Sequence, residues 1–337
     1  MKCFDAKYNR LPKAEIHCHL EGAIRTATLI DIAREHGLEL PAYDVATLNG
    51  HVKVYDQLKD LGAVLEAFGI AQRSMASSAV VERIADELFE DANEQNIKLF
   101  EVRFSPDWAF STHGLDWDEA LAGIRRAQRR AEARFGMAIG LIAITSRSRG
   151  IGSCEKTVDW TIRWRDHFCG VDLADGEAEH PIQGFVRPML RAKEAGLKVT
   201  VYSGEETPAA AVVETIRAVG PARIGHGTHI IEDPAAVELA RERGVTLEMC
   251  PWSNYLTNSV RRIEDHPLKR LFDQGVRVTI NSDDPELLDT NLNNEYRIAH
   301  EVLGMSLEDI AACNRQAAEA SFIPEEEKRR VIERHFS

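Results

Sequence analysis

The chain has 337 residues, of which 41 are Lys or Arg and 54 are Asp or Glu, so its formal net charge is −13. This acidic balance argues against a nucleic-acid or anionic-membrane partner, because phosphate binding needs a clustered basic surface. Hydrophobic residues at 44% and charged residues at 28% exclude the low-hydrophobicity class of disordered chains.

The six cysteines are scattered singly, with no CxxC pair. This spacing is typical of reduced thiols in a cytoplasmic protein. No apolar window is long enough to span a bilayer, and the first residues lack the apolar segment of a secretory signal. We therefore expect a cytoplasmic location. The sequence does not indicate an oligomeric state.

Eight short β-rich runs recur along the chain, at residues 14–20, 98–106, 138–145, 170–174, 198–204, 223–227, 246–251 and 277–282. Segments with helical periodicity lie between them, such as 207–219, 233–243 and 266–274, and each of these three is followed directly by a glycine. This alternation predicts an α/β fold, a (β/α)₈ TIM-type barrel. No linker interrupts the chain, so residues 1–337 are predicted to form one domain.

Two additions to the regular barrel are also predicted. A long helical stretch separates the first two strands, at about residues 23–97, and we expect it to cover the mouth of the barrel. The tail after Leu292 is predicted to add closing helices.

The barrel predicts where the chemistry lies, because active sites of this fold gather at the carboxyl ends of the strands. His17 and His19 lie near the end of the first run, and Glu205 directly follows the fifth run, after Gly204. His226 lies near the end of the sixth run, and Asp283 follows the eighth. These residues are the candidate site.

The first strand offers a pair of candidate metal ligands. Alternation places Ala14 and Ile16 on one face and His17 and His19 on the other, so the apolar face meets the outer helices and the imidazoles point inward. Two imidazoles and a carboxylate such as Asp283 form a ligand set found in catalytic zinc sites. Ordinary core histidines, and an aspartate that caps the next helix, are the alternatives.

Glu205 and His226 are candidate catalytic groups. Glu205 follows Gly204 at a strand end, and it can act as a general acid or base if burial raises its pKa. The alternative is a surface acid at a helix start, which fits Glu206 better. His226 lies between two glycines, which favours a metal-facing or oxyanion-stabilising role over a structural one. The aromatic residues Phe68, Trp108 and Trp252 could line a base-stacking pocket, but aromatic residues at strand ends and on helices are more often core residues.

Two other classes of metal site fit poorly. A binuclear barrel hydrolase usually needs a bridging lysine at the end of the fourth strand, and residues 171–174 contain none. A cytidine-deaminase zinc site pairs H-x-E with PCxxC. The segment His19-Leu20-Glu21 matches the first half, but no PCxxC follows.

Taken together, the chain resembles the adenosine deaminase family of metal-dependent (β/α)₈-barrel hydrolases. The resemblance covers nearly the whole chain and rests on five ordered motifs: LPKAEIHCHLEG at 11–22, EVRFSP at 101–106, RIGHGT at 223–228, CPWS at 250–253 and NSDDP at 281–285.

The resemblance implies a zinc-dependent hydrolytic deaminase that releases ammonia from a purine-type amine such as adenine, adenosine or a modified adenine nucleoside. It implies that His17, His19 and Asp283 bind one Zn²⁺, which activates the attacking water. It also implies that Glu205 passes protons to a purine ring nitrogen, that His226 stabilises the attacking hydroxide, and that Asp284 holds the imidazole side of the purine.

Three departures from the family pattern bear on this function. The family has a zinc-binding histidine where this chain has Tyr202. Glu21 replaces the aspartate that contacts ribose in adenosine deaminases, as in adenine and aminodeoxyfutalosine deaminases. The sequence Ala174-Asp175-Gly176-Glu177 shifts by one place the glycine, here Gly176, that offers its backbone to the purine.

Tyr202 leaves several chemical roles open. Its phenol can hydrogen-bond the water at the metal, bind the metal as phenolate, or fill space in a protein without metal chemistry. The alternative functions are therefore a non-catalytic or metal-altered purine-binding barrel, or a hydrolase of another exocyclic amine or amide.

Overall fold

A computed structural model describes residues 2–58, 68–71 and 73–336 of the chain. Eight parallel strands pair in chain order to form one sheet. The strands are β1 (Lys13–His19), β2 (Ile97–Phe104), β3 (Ala138–Ser146), β4 (Gly170–Ala174), β5 (Lys198–Ser203), β6 (Arg223–His226), β7 (Thr246–Met249) and β8 (Arg277–Ile280). All eight predicted strands are confirmed.

Several strands end one or two residues earlier than predicted, for identifiable reasons. Pro106 and Pro251 each begin a helix, at the position where proline needs no hydrogen-bonded N–H. Gly204 and Gly227 have φ of +80° and +69°, which turns the chain out of the extended conformation.

Asp283 closes the sheet into a barrel by bridging to Cys18 of β1. Its backbone N–H donates to the carbonyl of His17 at 3.0 Å, and its own carbonyl accepts from the N–H of His19 at 2.9 Å. Barrel closure therefore fixes Asp283 beside the two histidines of β1, as the (β/α)₈ prediction requires.

Helices alternate with the strands around the barrel. Those in the described residues are α1 (Ala6–Asn9), α2 (Thr26–His36), α3 (Val45–Val52), α4 (Ser78–Glu94), α5 (Pro106–Ala109), α6 (Trp117–Phe135), α7 (Gly150–Arg163), α8 (Val186–Glu194), α9 (Ala209–Ala218), α10 (Pro234–Arg243), α11 (Pro251–Leu256), α12 (Leu268–Asp273), α13 (Leu292–Arg297), α14 (Leu307–Ala320) and α15 (Glu325–His335). The three predicted helices are confirmed as α9, α10 and α12, and the C-terminal helices as α13 to α15.

The two faces of β1 separate as its alternation predicts. Ala14 and Ile16 pack against apolar residues of α14 and α15, on the outside of the barrel. The side chains of His17 and His19 lie on the inner side, where their rings contact Tyr202.

The predicted insertion between β1 and β2 contributes two kinds of structure. Helix α4 packs against β2 and α6, so it belongs to the outer helical layer of the barrel. The segment before it crosses the ends of later elements, with the N–H of Val54 donating to Leu287 O and the N–H of Leu58 to Leu256 O. Residues 59–67 and 72 of the predicted insertion lie outside the described residues. Within the described residues, no helix is both long and apolar enough to cross a membrane.

Candidate active site

A cavity opens at the carboxyl ends of the strands, where the fold predicts the site. Its volume, including the mouth, is about 780 Å³, within the usual range for small-molecule pockets. The lining residues are His19, Glu21, Phe68, Ser105, Trp108, Ile144, Ser146, Ala174, Asp175, Tyr202, Glu205, His226, Ser253, Thr257, Asp283 and Asp284.

The three predicted metal ligands lie together at the carboxyl ends of the strands, where His19 and Asp283 line the cavity. Asp283 Oδ1 lies 3.3 Å from His17 Nε2 and 3.1 Å from His19 Nε2. Burial opposes ionisation of Asp283, but the two imidazoles lower its pKa well below 3.8. This buried oxygen therefore lies between the two imidazoles. Asp283 is shared by two groups of possible ligands, one with His17 and Cys250 and one with His19 and Asp284. Imidazole nitrogens and a carboxylate oxygen are donor types that fit a divalent metal ion.

Tyr202 joins this cluster directly. Its Oη lies 2.7 Å from His17 Nε2 and 2.7 Å from His19 Nε2. Burial and the charge of Asp283 raise the pKa of the phenol well above 10, so the hydroxyl is neutral. A neutral hydroxyl can donate to one imidazole and accept from the other. The phenol oxygen therefore stands among the ligand atoms and also satisfies both imidazoles.

Glu248 fixes the orientation of the His17 ring through the ring nitrogen that faces away from Tyr202. Its Oε2 accepts a hydrogen bond from His17 Nδ1 at 2.7 Å and another from Arg103 at 2.7 Å. Burial raises the pKa of Glu248, but Arg103 and Arg223 outweigh that effect and hold it well below 4.5. With Nδ1 donating to a carboxylate, His17 presents the lone pair of Nε2 to the cluster, the arrangement usual for metal-binding histidines. The sequence reasoning missed Glu248; its alternation position on a barrel strand was the available signal.

Glu205 and His226 face each other above the ligand cluster. His226 Nε2 lies 3.3 Å from Glu205 Oε2, and Glu205 Oε1 accepts from the Thr257 hydroxyl at 3.0 Å. Burial, followed by the charges of Asp283 and other carboxylates, raises the pKa of Glu205 well above 4.5. Glu205 is therefore a carboxylic acid that can give up a proton. Burial also lowers the pKa of His226 to about 3, which leaves its ring neutral.

The loop that carries Glu205 is held by a second glutamate. The Glu177 carboxylate accepts from the backbone N–H groups of Gly204, Glu205 and Glu206 at 2.7 to 2.8 Å. It also accepts from the Thr207 hydroxyl at 2.6 Å. Four hydrogen bonds to one buried carboxylate fix the turn after β5, and this anchor too was missed from the sequence.

Two further carboxyl groups face the cavity with unpaired oxygens. Glu21 Oε1 accepts from the N–H of Ser105 at 2.7 Å. Its Oε2, and Oδ1 of Asp284, are buried and find no hydrogen-bond partner among the residues described. Burial raises the pKa of Glu21 to about 7, and burial with the neighbouring Asp283 raises that of Asp284 well above 3.8. Both groups are thus available to a ligand.

The lining of the cavity bears on the predictions for Gly176, Phe68 and Trp108. Gly176 does not line the cavity; Asp175 does, because the chain turns there in a left-handed conformation with φ of +60°. Phe68 and Trp108 line the cavity, as the base-stacking alternative expects, and Phe68 is also buried in an apolar cluster with Leu256 and Leu288. Trp108 instead donates from Nε1 to the Ser146 hydroxyl at 2.8 Å, which places the indole at the wall.

With the site assembled, its relatives can be compared. The sequence profile of the adenosine deaminase family matches residues 12–335. The chain belongs to the adenosine deaminase family. Adenosine deaminases from Erwinia tasmaniensis and Vibrio parahaemolyticus are 35% and 33% identical to it, each over 96% of this chain and 97% of the relative.

Solved structures agree with this assignment. The adenine deaminase from Arthrobacter aurescens superposes with a TM-score of 0.89 at 26% identity, covering 96% of this chain and 97% of that one. The Arabidopsis N6-mAMP deaminase gives 0.85 at 25% identity, covering 96% and 97%. The resemblance, the barrel and the hydrolytic deaminase class predicted from the sequence are confirmed.

Proposed function

We propose that this family member is a zinc-dependent hydrolase that removes the exocyclic amine of adenine-type purines, namely adenine, adenosine or a modified adenine nucleoside. The observation that carries the proposal is the meeting of two groups in one cavity. These are a His17, His19 and Asp283 ligand cluster and, beside it, the protonated Glu205 with His226.

The donor set supports zinc at the cluster. His17 Nε2, His19 Nε2 and Asp283 Oδ1 would hold the ion, since zinc prefers nitrogen and carboxylate ligands and catalytic sites use three protein ligands. Tyr202 Oη, 2.7 Å from both nitrogens, would be a fourth donor atom beside these three. A bound zinc ion makes water nucleophilic near neutral pH.

The chain's own residues perform the proton transfers. As water adds to the amine-bearing carbon, the Glu205 carboxyl gives its proton to the adjacent ring nitrogen and takes one proton from the attacking water. His226 donates from Nε2 to the attacking oxygen as negative charge develops there. Asp284, which burial keeps protonated, donates to the imidazole side of the purine. The second proton of the water then passes to the amine, the C–N bond breaks, and ammonia leaves as the C=O bond forms.

The charge of the cavity favours a base or nucleoside over a nucleotide. Five lining residues are carboxyl groups: Glu21, Asp175, Glu205, Asp283 and Asp284. No Lys or Arg occurs among the described lining residues. A phosphate group would meet the charge of Asp283 and no cationic partner among the described lining residues, whereas a hydroxyl or amine donor would find the unpaired oxygen of Glu21.

The proposal is tested with zinc-loaded protein by ammonia release from adenine, adenosine and AMP, and by methylamine release from N6-methyladenosine. We expect turnover of adenine or a nucleoside, and kcat/KM for AMP at least about tenfold lower than for adenosine, which corresponds to about 1.4 kcal/mol of transition-state binding. The absence of ammonia and methylamine release from all of these compounds would contradict the proposed reaction.

A second candidate function follows from Tyr202. Because its hydroxyl satisfies both imidazoles without a metal, the chain also suits a purine-binding barrel that does not turn its ligand over. Calorimetry distinguishes the two: adenosine would bind with a measurable Kd and be recovered unchanged. We further propose a cytoplasmic location, in which the six free thiols remain reduced.

A further inference from the structure

His226 is the first member of a buried chain of polar groups that leads away from the cavity. The Asn254 side-chain amide of α11 lies 3.0 Å from His226 Nδ1. Its other end lies 3.1 Å from His266 Nε2, at the start of α12. His266 Nδ1 lies 3.3 Å from the backbone nitrogen of Leu268. His226, Asn254 and His266 are at most 3% exposed, so water does not compete for these bonds.

Only one arrangement of protons satisfies this chain. The backbone N–H of Leu268 can only donate, so His266 Nδ1 accepts and the ring proton of His266 is on Nε2. That N–H requires an acceptor, so the Asn254 oxygen faces His266. A flipped amide would leave His266 accepting at both ring nitrogens, without a proton, which excludes that orientation.

The constraint then passes to the catalytic histidine. With its oxygen on His266, Asn254 presents NH₂ to His226 Nδ1, which must accept. The single ring proton of His226 is therefore on Nε2, the nitrogen that faces Glu205 Oε2 at 3.3 Å. In this state Nε2 can donate to the developing negative charge, and it cannot take a proton from the attacking water.

The geometry assigns Asn254 and His266 as positioning residues that keep the proton of His226 on Nε2, so that His226 works as a hydrogen-bond donor and not as a base. The constraint begins at the backbone N–H of Leu268, the first of α12. A helix start leaves its first N–H groups without partners inside the helix, so this one can donate to His266. Neither residue touches the cavity, so each acts through His226. The assignment rests on the proposed deaminase function for its kinetic consequence only.

The decisive change is Asn254→Asp, which keeps the shape and replaces the NH₂ donor by an acceptor. The carboxylate would accept from both imidazoles and draw the His226 proton to Nδ1. A wrong tautomer with intact geometry is severely damaging in the serine protease triad, and loss of one oxyanion donor costs about 10²–10³ in kcat. We expect kcat for adenosine to fall about 10²–10³-fold, with KM changed less than about threefold.

The tautomer is read directly from ¹⁵N-histidine NMR of the resting protein, with the His226 signals assigned by their loss in His226→Gln. We expect the proton on Nε2 in the wild type and in His266→Gln, whose amide can donate to Asn254 and accept from Leu268. We expect it on Nδ1 in Asn254→Asp. Wild-type protein with the proton on Nδ1, or Asn254→Asp that keeps it on Nε2, would overturn the assignment.

A matched control separates tautomer from buried charge. Asn314 is also buried, but it joins the backbone of Ala14 and Pro12 at the opposite end of β1. We expect Asn314→Asp to lower stability while leaving kcat within about threefold. An equal loss of kcat in Asn314→Asp and Asn254→Asp would overturn the positioning role. If adenosine is not a substrate, the NMR result still decides the assignment, because it needs no turnover.

Discussion

Replacing Glu205 by glutamine separates its chemical role from its structural one. The wild-type carboxyl is protonated, because burial raises its pKa well above 4.5. Glutamine is then nearly isosteric with the native group and equally neutral. Its amide oxygen can accept from His226 Nε2, and its NH₂ can donate to Thr257. We expect the fold and the cavity to be unchanged, while the proton donor is lost.

The expected magnitudes follow from these contacts. A positioned general acid or base contributes about 10²–10⁴-fold, so kcat for adenosine should fall by that factor, about 3–5 kcal/mol. The stability should not fall. The folded wild type holds a proton that the unfolded chain has already released, so its free energy of unfolding decreases by up to about 1.4 kcal/mol per pH unit above the unfolded pKa. Glu205→Gln has no carboxyl to ionise at this position, so its free energy of unfolding relative to that of the wild type increases with pH.

The assay combines ammonia release with urea unfolding at pH 5, 6 and 7. Glu206→Gln is the matched control, because Glu206 is adjacent in sequence but its side chain does not line the cavity; its kcat should stay within about twofold of wild type. Turnover retained in Glu205→Gln would refute the proton-transfer role. A stability loss that grows with pH would refute the protonated state.

Three further predictions concern the metal cluster, the substrate wall and a buried carboxyl. Tyr202→His should tighten zinc binding at least about tenfold in chelator competition, whereas weaker binding would show that the phenol is the better partner. A Cβ on Gly22 would lie 1.8 Å from Asp284 Oδ1, so Gly22→Ala should raise KM for adenosine about tenfold with zinc content unchanged. Gly50→Ala, which meets nothing within 4 Å, serves as its control, and equal KM values in the two variants would contradict the role of Asp284. Burial raises the pKa of Glu295 to about 8, so wild-type stability should fall between about pH 5 and 8 by up to about 1.4 kcal/mol per unit. Glu295→Gln should flatten that part of the pH profile, and an unchanged slope would refute the assignment of this pH dependence to Glu295.

The sequence was sufficient for the barrel and for the positions of the main candidate residues. Strand periodicity and the glycines after the helices locate the elements, and a (β/α)₈ barrel brings its strand ends together. The sequence alone therefore groups the main candidate residues, which are His17, His19, Glu205, His226 and Asp283. Their proximity is a property of the fold.

The second layer of the site could not be predicted in the same way. Glu248 reaches His17 because barrel closure leaves only β8 between β7 and β1, and Asn254 reaches His226 from α11. Alternation along β7 indicates the inner face for Glu248, but the partner that each side chain meets depends on strand register and side-chain rotamers. The presence of Asp175 at the cavity wall, where Gly176 was predicted, depends on a left-handed turn of the backbone at Asp175.

The most direct test of the central proposal is to measure zinc content per chain and turnover of adenosine and adenine on the same samples, across a titration from chelator-treated to fully loaded protein. We predict saturation at one zinc ion per chain, with ammonia release rising in proportion to bound zinc. Full turnover in zinc-free protein, or no zinc retained after reloading, would contradict it.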